Sequence, residues 1–316
     1  MRISLGGGGT DLPFYAQRRG GLLMAAAIDE YVTVSVATRI LDDKILVQTT
    51  DTQFADSLEG LKNDLVRACL EFHGWEKGIQ VAMWSTIPTG IGLGSSSTQI
   101  VGLVYALSRL SGEAPSQMEV AARAHKIERE ILGFAGGIQD QYISAIGGVQ
   151  KITAEPDGTV TTSAIRIAPE VCERIEEGLK LVYSGRRRDS AEVVKSQEVE
   201  LQRKLDIYDK IKRIGVESEK LLVEGDIQAL GEALHEHWTL KKGLSALISD
   251  TRFDEQYQDC LDAGANGGKL VGAGGGGFFL MAVPGDPVDF AMRLRSKGYR
   301  ILDWRFEFQG THLISS

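Results

Sequence analysis

Glycine falls in three dense clusters, and no other feature of this chain constrains its fold as strongly. They are Gly6-Gly7-Gly8-Gly9, Gly90-Ile91-Gly92-Leu93-Gly94 and Gly272-Ala273-Gly274-Gly275-Gly276-Gly277. Glycine loses more backbone freedom on folding than any other residue. Such runs belong where the chain needs positive φ or must approach a ligand or a second segment closely. No period of 20–50 residues relates the clusters, which excludes a solenoid. With 37 glycines but only 7 prolines, no proline-rich linker divides the chain either.

Between the clusters, periodicity suggests the elements. Residues 31–38 and 44–49 alternate as strands, and 79–85 continue the pattern. Residues 58–72 carry helical spacing, with Leu61, Leu65, Ala68 and Phe72 on one face. A nearly all-apolar helix is expected over 95–109 and an amphipathic one over 115–132. A strand at 147–153 leads into a hairpin turn at Pro156-Asp157-Gly158. Further on, a strand is expected at 179–184, helices at 190–223 and 227–248, and strands at 269–271 and 278–283. Strands and helices mix without strict alternation, which favours α+β over a doubly wound sheet. A composition shift near 165–178 divides the chain into domains of 1–170 and 171–316.

The second cluster carries the most chemistry. Pro88-Thr89-Gly90-Ile91-Gly92-Leu93-Gly94-Ser95-Ser96-Ser97 lies between an expected strand and an expected helix. The N–H groups of Ser95, Ser96 and Ser97 would stand at the helix start, where donors lack partners and the dipole is positive. A phosphate chain fits there. The loop has no lysine before a serine or threonine, so it is not a Walker loop. It also lacks the acidic residue that a dinucleotide fingerprint places at a strand end about twenty positions on. A glycine turn with a serine cap is the plain alternative, and three alternating glycines followed by three serines argue against it.

Composition narrows the function. The net charge of −8 gives no basic field for nucleic acid or an anionic membrane. No apolar run has the length of a membrane span, and no signal peptide is evident. The three cysteines, Cys69, Cys172 and Cys260, fit neither a disulfide framework nor a metal spacing. The expected setting is cytoplasmic. His235 and His237, two apart on a helix, do not share a face, which excludes a zinc pair. The histidines, cysteines and surface tryptophans receive structural readings.

Taken together, the three loops resemble those of the GHMP kinases, the galactokinase–homoserine kinase–mevalonate kinase superfamily. Residues 88–97 are similar to its nucleotide loop, residues 2–12 (Arg-Ile-Ser-Leu-Gly-Gly-Gly-Gly-Thr-Asp-Leu) to its N-terminal substrate motif, and residues 270–278 to its C-terminal glycine motif. Gly136-Gly137-Ile138-Gln139-Asp140-Gln141-Tyr142, Trp238-Thr239-Leu240-Lys241-Lys242 and Ser184-Gly185 followed by Arg188 resemble the D-glycero-D-manno-heptose 7-phosphate 1-kinase branch. The resemblance implies a two-domain α+β fold, a ferredoxin-like second domain and an active site in the cleft between domains. It also implies ATP and Mg²⁺. In similar proteins several residues precede the arginine aligned with Arg2. Here that first strand is missing, so Arg2 is expected to be less restrained. The gene is expected to continue upstream, or a partner strand to cover the edge.

The resemblance distributes roles along the chain. Asp140 is the expected base, grouped with Arg2 at the catalytic centre; a helix-capping aspartate is the alternative. Pro88, Gly90, Gly92, Leu93, Gly94, Ser95, Ser96 and Ser97 are expected to hold the nucleotide. Glu128, on a stretch resembling the family's Mg²⁺-glutamate helix, partners Ser96 as metal ligand, with Glu130 as rival. Gly8, Gly9, Thr10, Asp11, Gly136, Gly137, Gly274 and Gly275 line the substrate, and Asp11 holds sugar hydroxyls. Arg188 contacts a distal phosphate, whereas Arg186 and Arg187 read as solvated surface. Of the adjacent Lys241 and Lys242 only one can face the site. The expected activity is ATP-dependent phosphorylation of the anomeric hydroxyl of heptose 7-phosphate. Fucose-type or octose phosphate kinases and a catalytically silent sugar–ATP sensor are the rivals. The expected partners are small molecules, with monomer and homodimer both open.

Overall fold

The computed structural model describes residues 1–187, 190–199 and 201–314. The first half runs β1 (Arg2–Gly6), α1 (Pro13–Arg19), β2 (Gly21–Ala27), β3 (Val32–Thr38), β4 (Ile45–Gln48), β5 (Thr52–Ala55), α2 (Asp64–Phe72), β6 (Ile79–Ser85), α3 (Ser95–Leu110), α4 (Gln117–Lys126), α5 (Gln139–Ile146), β7 (Val149–Ala154) and β8 (Val160–Ala164). There follow α6 (Pro169–Gly178), β9 (Leu179–Tyr183), α7 (Ser190–Glu198), α8 (Leu201–Glu224), α9 (Ile227–Lys242), α10 (Thr251–Asp262), β10 (Gly267–Leu270), β11 (Phe278–Ala282), α11 (Pro287–Ser296) and β12 (Ile301–Leu302).

The described strands form three sheets, ordered β1-β2-β7-β8, β3-β6-β4-β5 and β10-β11-β9-β12. Pairing is antiparallel except between β4 and β6. The third sheet is drawn wholly from the second half, as a strand–helices–strand–strand–helix–strand run. Its order and antiparallel sense are those of a ferredoxin-like unit. A first core gathers α2, α3, α4 and α5 over β2, β4 and β6, including Leu23, Val47, Leu70, Leu103 and Ile143. Another packs α1, α8, α9 and α10 on the third sheet, around Tyr208, Trp238, Phe253 and Phe279. Between them, Ile3, Leu5, Ile91 and Leu93 pack with Leu181, Leu234 and Leu280. That shared apolar seam fixes one half against the other and sets the width of the cleft above it.

Local chemistry explains where elements begin and end. The periodicity over 58–72 does not yield one helix. Leu58–Gly60 is a 3₁₀ turn, and α2 starts only after Asn63, whose side chain accepts the Val66 N–H at 3.1 Å. The expected helix over 190–223 is α7 and α8, with Val199 in a turn between them. A Ser116–Glu119 capping box opens α4, which passes at Ile127–Ile131 into a π turn instead of continuing as α-helix. The helix expected over 227–248 ends at Lys242. Trp238 and Trp304 are buried. Arg2–Gly6 forms β1 and pairs with β2 from Arg2 opposite Ala27, so Arg2 is firmly held where less restraint was expected. No described helix is long and apolar enough to cross a membrane.

Candidate active site

A cleft of about 520 Å³ opens above the shared seam and takes its walls from both halves. The loop before α3 forms one side. Gly94, at φ 75°, is the N-cap of α3, and the helix makes no side-chain cap bond. The first backbone bond of the helix runs from the Thr98 N–H to the Gly94 carbonyl at 2.9 Å. The N–H groups of Ser95, Ser96 and Ser97 therefore stand ahead of the ladder, beside the cleft that these serines line. Gly94 answers a second need: a Cβ there would lie 3.3 Å from both the Asp140 carboxylate and the Arg2 side chain. Gly90, Gly92 and Gly94 line the cleft, whereas Pro88 is exposed beside it and Leu93 is buried in the seam.

The third glycine loop closes on this one. A Cβ at Gly272 would sit 2.9 Å from Gly92 Cα, and one at Gly277 would sit 2.2 Å from the Ile91 carbonyl oxygen. Both glycines have positive φ, so no other residue fits either position without displacing the Gly90–Gly94 loop. Arg187 reaches over the same loop and donates twice to the Thr89 carbonyl, at 3.0 and 2.6 Å. It is exposed, as expected, and tethers the loop as well. Arg186 pairs with Asp250 and lies over the Phe253 ring. Arg188 lies outside the described residues.

Asp140, at the start of α5, meets Arg2 in a bidentate pair, Nε to Oδ1 at 2.7 Å and Nη2 to Oδ2 at 2.9 Å. Arg2 is only 4% exposed, and its remaining arm donates to the Gly92 carbonyl. One side chain thus links β1, the expected base and the Gly90–Gly94 loop. Fork-on-carboxylate geometry fixes orientation as well as charge.

Asp11, expected to hold sugar hydroxyls, has its carboxylate engaged within the protein. It lines the cleft, but its Oδ2 accepts the backbone N–H groups of Ile138 and Gln139 at 3.0 and 3.1 Å, and Oδ1 accepts the Gly9 N–H at 3.2 Å. It caps α5, the helix that carries Asp140. Burial pushes the Asp11 carboxyl above its usual range, against the lowering pull of those N–H groups. Gly137 permits this contact, since a Cβ there would fall 2.0 Å from Asp11 Oδ2. Gly136 packs against the Arg129 guanidinium, which also donates to the Gly137 carbonyl at 3.1 Å. Gly8, Gly9 and Gly274 line the cleft. Thr10 is fully buried, with its hydroxyl donating to the Gly7 or Leu22 carbonyl, and Gly275 donates its N–H to the Ile248 carbonyl.

Glu128 and Glu130 separate cleanly. The π turn aims Glu128 inward, 3% exposed and lining the cleft, and leaves Glu130 exposed. Turns of this kind are frequent at functional sites. Glu128 Oε2 accepts the Ser97 hydroxyl at 2.7 Å and the Gln141 amide, with Arg129 at 3.7 Å. The serine it touches is therefore Ser97, while Ser96 faces the cleft from the same helix turn. Burial pushes the Glu128 carboxyl upward, and Arg129 and Ser97 oppose that shift. One carboxylate and one hydroxyl suit Mg²⁺, which takes the rest of its shell from phosphate and water. No cluster of three acidic, histidine or cysteine side chains able to hold a metal occurs among the described residues.

Lys241, one of the two lysines weighed for the site, shares the cleft with two residues outside the expected set, Lys269 and His237. Lys241 turns in from α9, whereas Lys242 turns out to Asp254. Lys269 on β10 and His237 on α9 stand beside Lys241. Lys269 adjoins the third glycine motif, and His237 lies one helical turn before Lys241. That spacing is the one signal by which they could have been found.

Donors at the head of α3, a carboxylate locked by arginine and a second buried carboxylate suit transfer of a phosphoryl group to a hydroxyl. The class is that of a kinase with an alcohol acceptor. Residues 62–148 match the GHMP kinases N terminal domain and residues 218–300 match GHMP kinases C terminal; the chain belongs to the GHMP kinase family. It is 28% identical to the D-glycero-alpha-D-manno-heptose 7-phosphate kinase of Campylobacter jejuni, over 98% of this chain and 96% of that protein. It is 30% identical to the mevalonate kinase of Pyrococcus horikoshii, over 81% and 75% of the two chains. The crystal structure of a D-glycero-D-manno-heptose 1-phosphate kinase from Bacteroides thetaiotaomicron superposes with a TM-score of 0.81 at 22% identity, covering 100% of this chain and 98% of that one.

Proposed function

We propose that this kinase transfers the γ-phosphoryl group of ATP to the anomeric hydroxyl of D-glycero-D-manno-heptose 7-phosphate, giving the 1,7-bisphosphate. The observation that carries the reading is the Arg2–Asp140 pair, facing the head of α3 across the cleft. Each carboxylate oxygen has two acceptor positions. With one on each oxygen taken by Arg2, Asp140 can still accept a hydroxyl proton. The proton passes to Asp140 as the oxygen bonds to phosphorus and the bond to the ADP oxygen breaks.

Ser95, Ser96 and Ser97 hold phosphate oxygens through their N–H groups, and Gly90 to Gly94 keep the loop close to them. Glu128 and Ser96 are the proposed Mg²⁺ ligands; the ion supplies neutralisation of phosphate charge. Gly8, Gly9, Gly136, Gly137 and Gly274 shape the sugar side. The heptose phosphate assignment draws on the Campylobacter relative and on the branch motifs, which also assign Arg188 to a distal phosphate. The division we propose lies between 170 and 171, just inside α6. Three buried free cysteines agree with a reducing cytoplasmic setting.

The test is ADP release over free and phosphorylated heptoses, hexoses and octoses, with mevalonate alongside. Heptose 7-phosphate should give the highest kcat/KM, by about tenfold or more over any unphosphorylated sugar. Preference for mevalonate or a free sugar would reject the assignment.

A further inference from the structure

Lys241 and Lys269 enter the cleft from the C-terminal half, 7% and 2% exposed. Their hydrogen-bond partners are neutral. Lys241 donates to the Leu270 carbonyl at 3.4 Å and to that of Gly272; Lys269 donates to Ser4 Oγ at 3.3 Å and the His237 ring at 3.4 Å. Among the described residues, no carboxylate lies within salt-bridge distance of either. Buried charge without a counter-charge is costly, and proteins ordinarily pair it. Burial accordingly pushes Lys241 down to about 7, with Arg2 adding to the shift. Burial, then Lys241 and Arg2, hold Lys269 well below its ordinary value.

His237 shows what is lacking. As an ammonium Lys269 has no acceptor to offer, and with the lysine charged Nδ1 accepts from it. The neutral ring then carries its proton on Nε2. Burial and the two lysines hold the ring neutral, and the Gly8 carbonyl pulls weakly the other way. Yet Nε2 is buried with no hydrogen-bond partner. Two acceptors serve each ammonium, which leaves one proton on each. Ser4, accepting from Lys269, also has a hydroxyl proton to donate. Four donors and up to two positive charges therefore converge on the cleft, where the acceptor beside them is the neutral Gly8 carbonyl and not a carboxylate. Gly8 keeps the space open: a Cβ there would lie 2.5 Å from Ser4 Oγ and 3.9 Å from Lys269 Nζ.

Ser4 lies two residues from Arg2 on β1, so the two side chains leave the same face of the strand, about 7 Å apart. Arg2 marks the reacting end, at Asp140. The cluster lies one step along the strand, beside the first glycine motif, roughly a sugar ring away. We propose that Ser4, His237, Lys241 and Lys269 form a subsite for the phosphate that the acceptor already carries. The proposal rests on the reading of the acceptor as a sugar phosphate.

The experiment compares the wild type with Lys269→Met and Lys241→Met. Inorganic phosphate is the calorimetric probe, and kinetics use heptose 7-phosphate, the unphosphorylated heptose and ATP. The wild type should bind phosphate in competition with heptose 7-phosphate but not with ATP, and each variant should weaken that binding at least tenfold. KM for heptose 7-phosphate should rise tenfold or more, and kcat/KM for it should fall at least ten times further than for the free heptose. Both variants should melt at or above the wild-type temperature, because each removes a buried unpaired charge. Phosphate competing with ATP, with KM for ATP rising instead, would assign the cluster to the transferred phosphoryl group and overturn the proposal. So would unchanged phosphate binding, or equal losses on both sugars. If the wild type turned over no sugar phosphate, the reading of function would fall; lysine-dependent phosphate binding would still decide the subsite.

Discussion

At the residue scale the account turns on Asp140. Its pairing with Arg2 orients the carboxylate, and Asp140→Asn keeps the shape while removing the proposed acceptor of the proton. Turnover should fall by ~10²–10⁴, with ATP affinity nearly unchanged in equilibrium binding. Near-normal turnover in the folded variant would remove Asp140 from the chemistry. Motif context singled out this aspartate, and glutamates 128 and 130 were left as rivals because a helical register cannot tell them apart. The π turn separates them, and nothing in the local sequence announces a π turn. Lys241 and Lys242 were reduced to one by helical geometry alone, and burial decided which. The sequence attaches no substrate role to His237 or Lys269, for a physical reason. A buried donor without a partner becomes visible only when chain segments far apart in sequence are brought together.

At the element scale, α5 is the part to test. Asp11 caps it from the N-terminal loop, and Gly137 leaves room for that carboxylate. Gly137→Ala should displace Asp11, shift the first turn of α5 and misplace Asp140. Turnover should drop by roughly 10²-fold, the cost of about 1 Å of misplacement, with KM for ATP held. Unaltered turnover would show that the cap does not position the base. A related variant, Gly94→Val, forces a branched side chain into positive φ and against Asp140. It should impair both ATP affinity and turnover, measured by titration and single-turnover kinetics; loss of neither would detach the loop from the site. Alternation made β3 and β6 legible from sequence, since half-buried strands advertise their period. The glycine loops likewise marked the ends of the elements they join. The break between α7 and α8 and the short start of α2 were not legible, because apolar spacing runs through both interruptions. Asn63 shows how a single cap overrides that spacing.

At the scale of the whole molecule, the cleft exists because the seam of Ile91, Leu93, Leu181 and Leu280 holds the halves together beneath it. Function asks for buried charge there, and stability should register it. Burial, with Arg2 adding to it, pushes Lys241 down to about 7 in the folded protein, against about 10.4 in an unfolded chain. Between those values the unfolded chain holds the extra proton, so this lysine makes stability rise with pH from about 7 toward 10. Below about 7 both states are protonated and the contribution levels at its least favourable. Chemical denaturation at pH 7 and pH 9 should therefore show a gain in the wild type that is smaller in Lys241→Met. An identical pH dependence in both proteins would place that charge in solvent.

The central claim is that the cleft transfers phosphate to the anomeric oxygen of a sugar already phosphorylated at its far end. Phosphorus NMR of a reaction with ATP and D-glycero-D-manno-heptose 7-phosphate tests it most directly. The account predicts a new anomeric phosphate resonance, growing in step with ADP while the original ester signal persists. ADP without a new sugar phosphate, or transfer to any other hydroxyl, would contradict it.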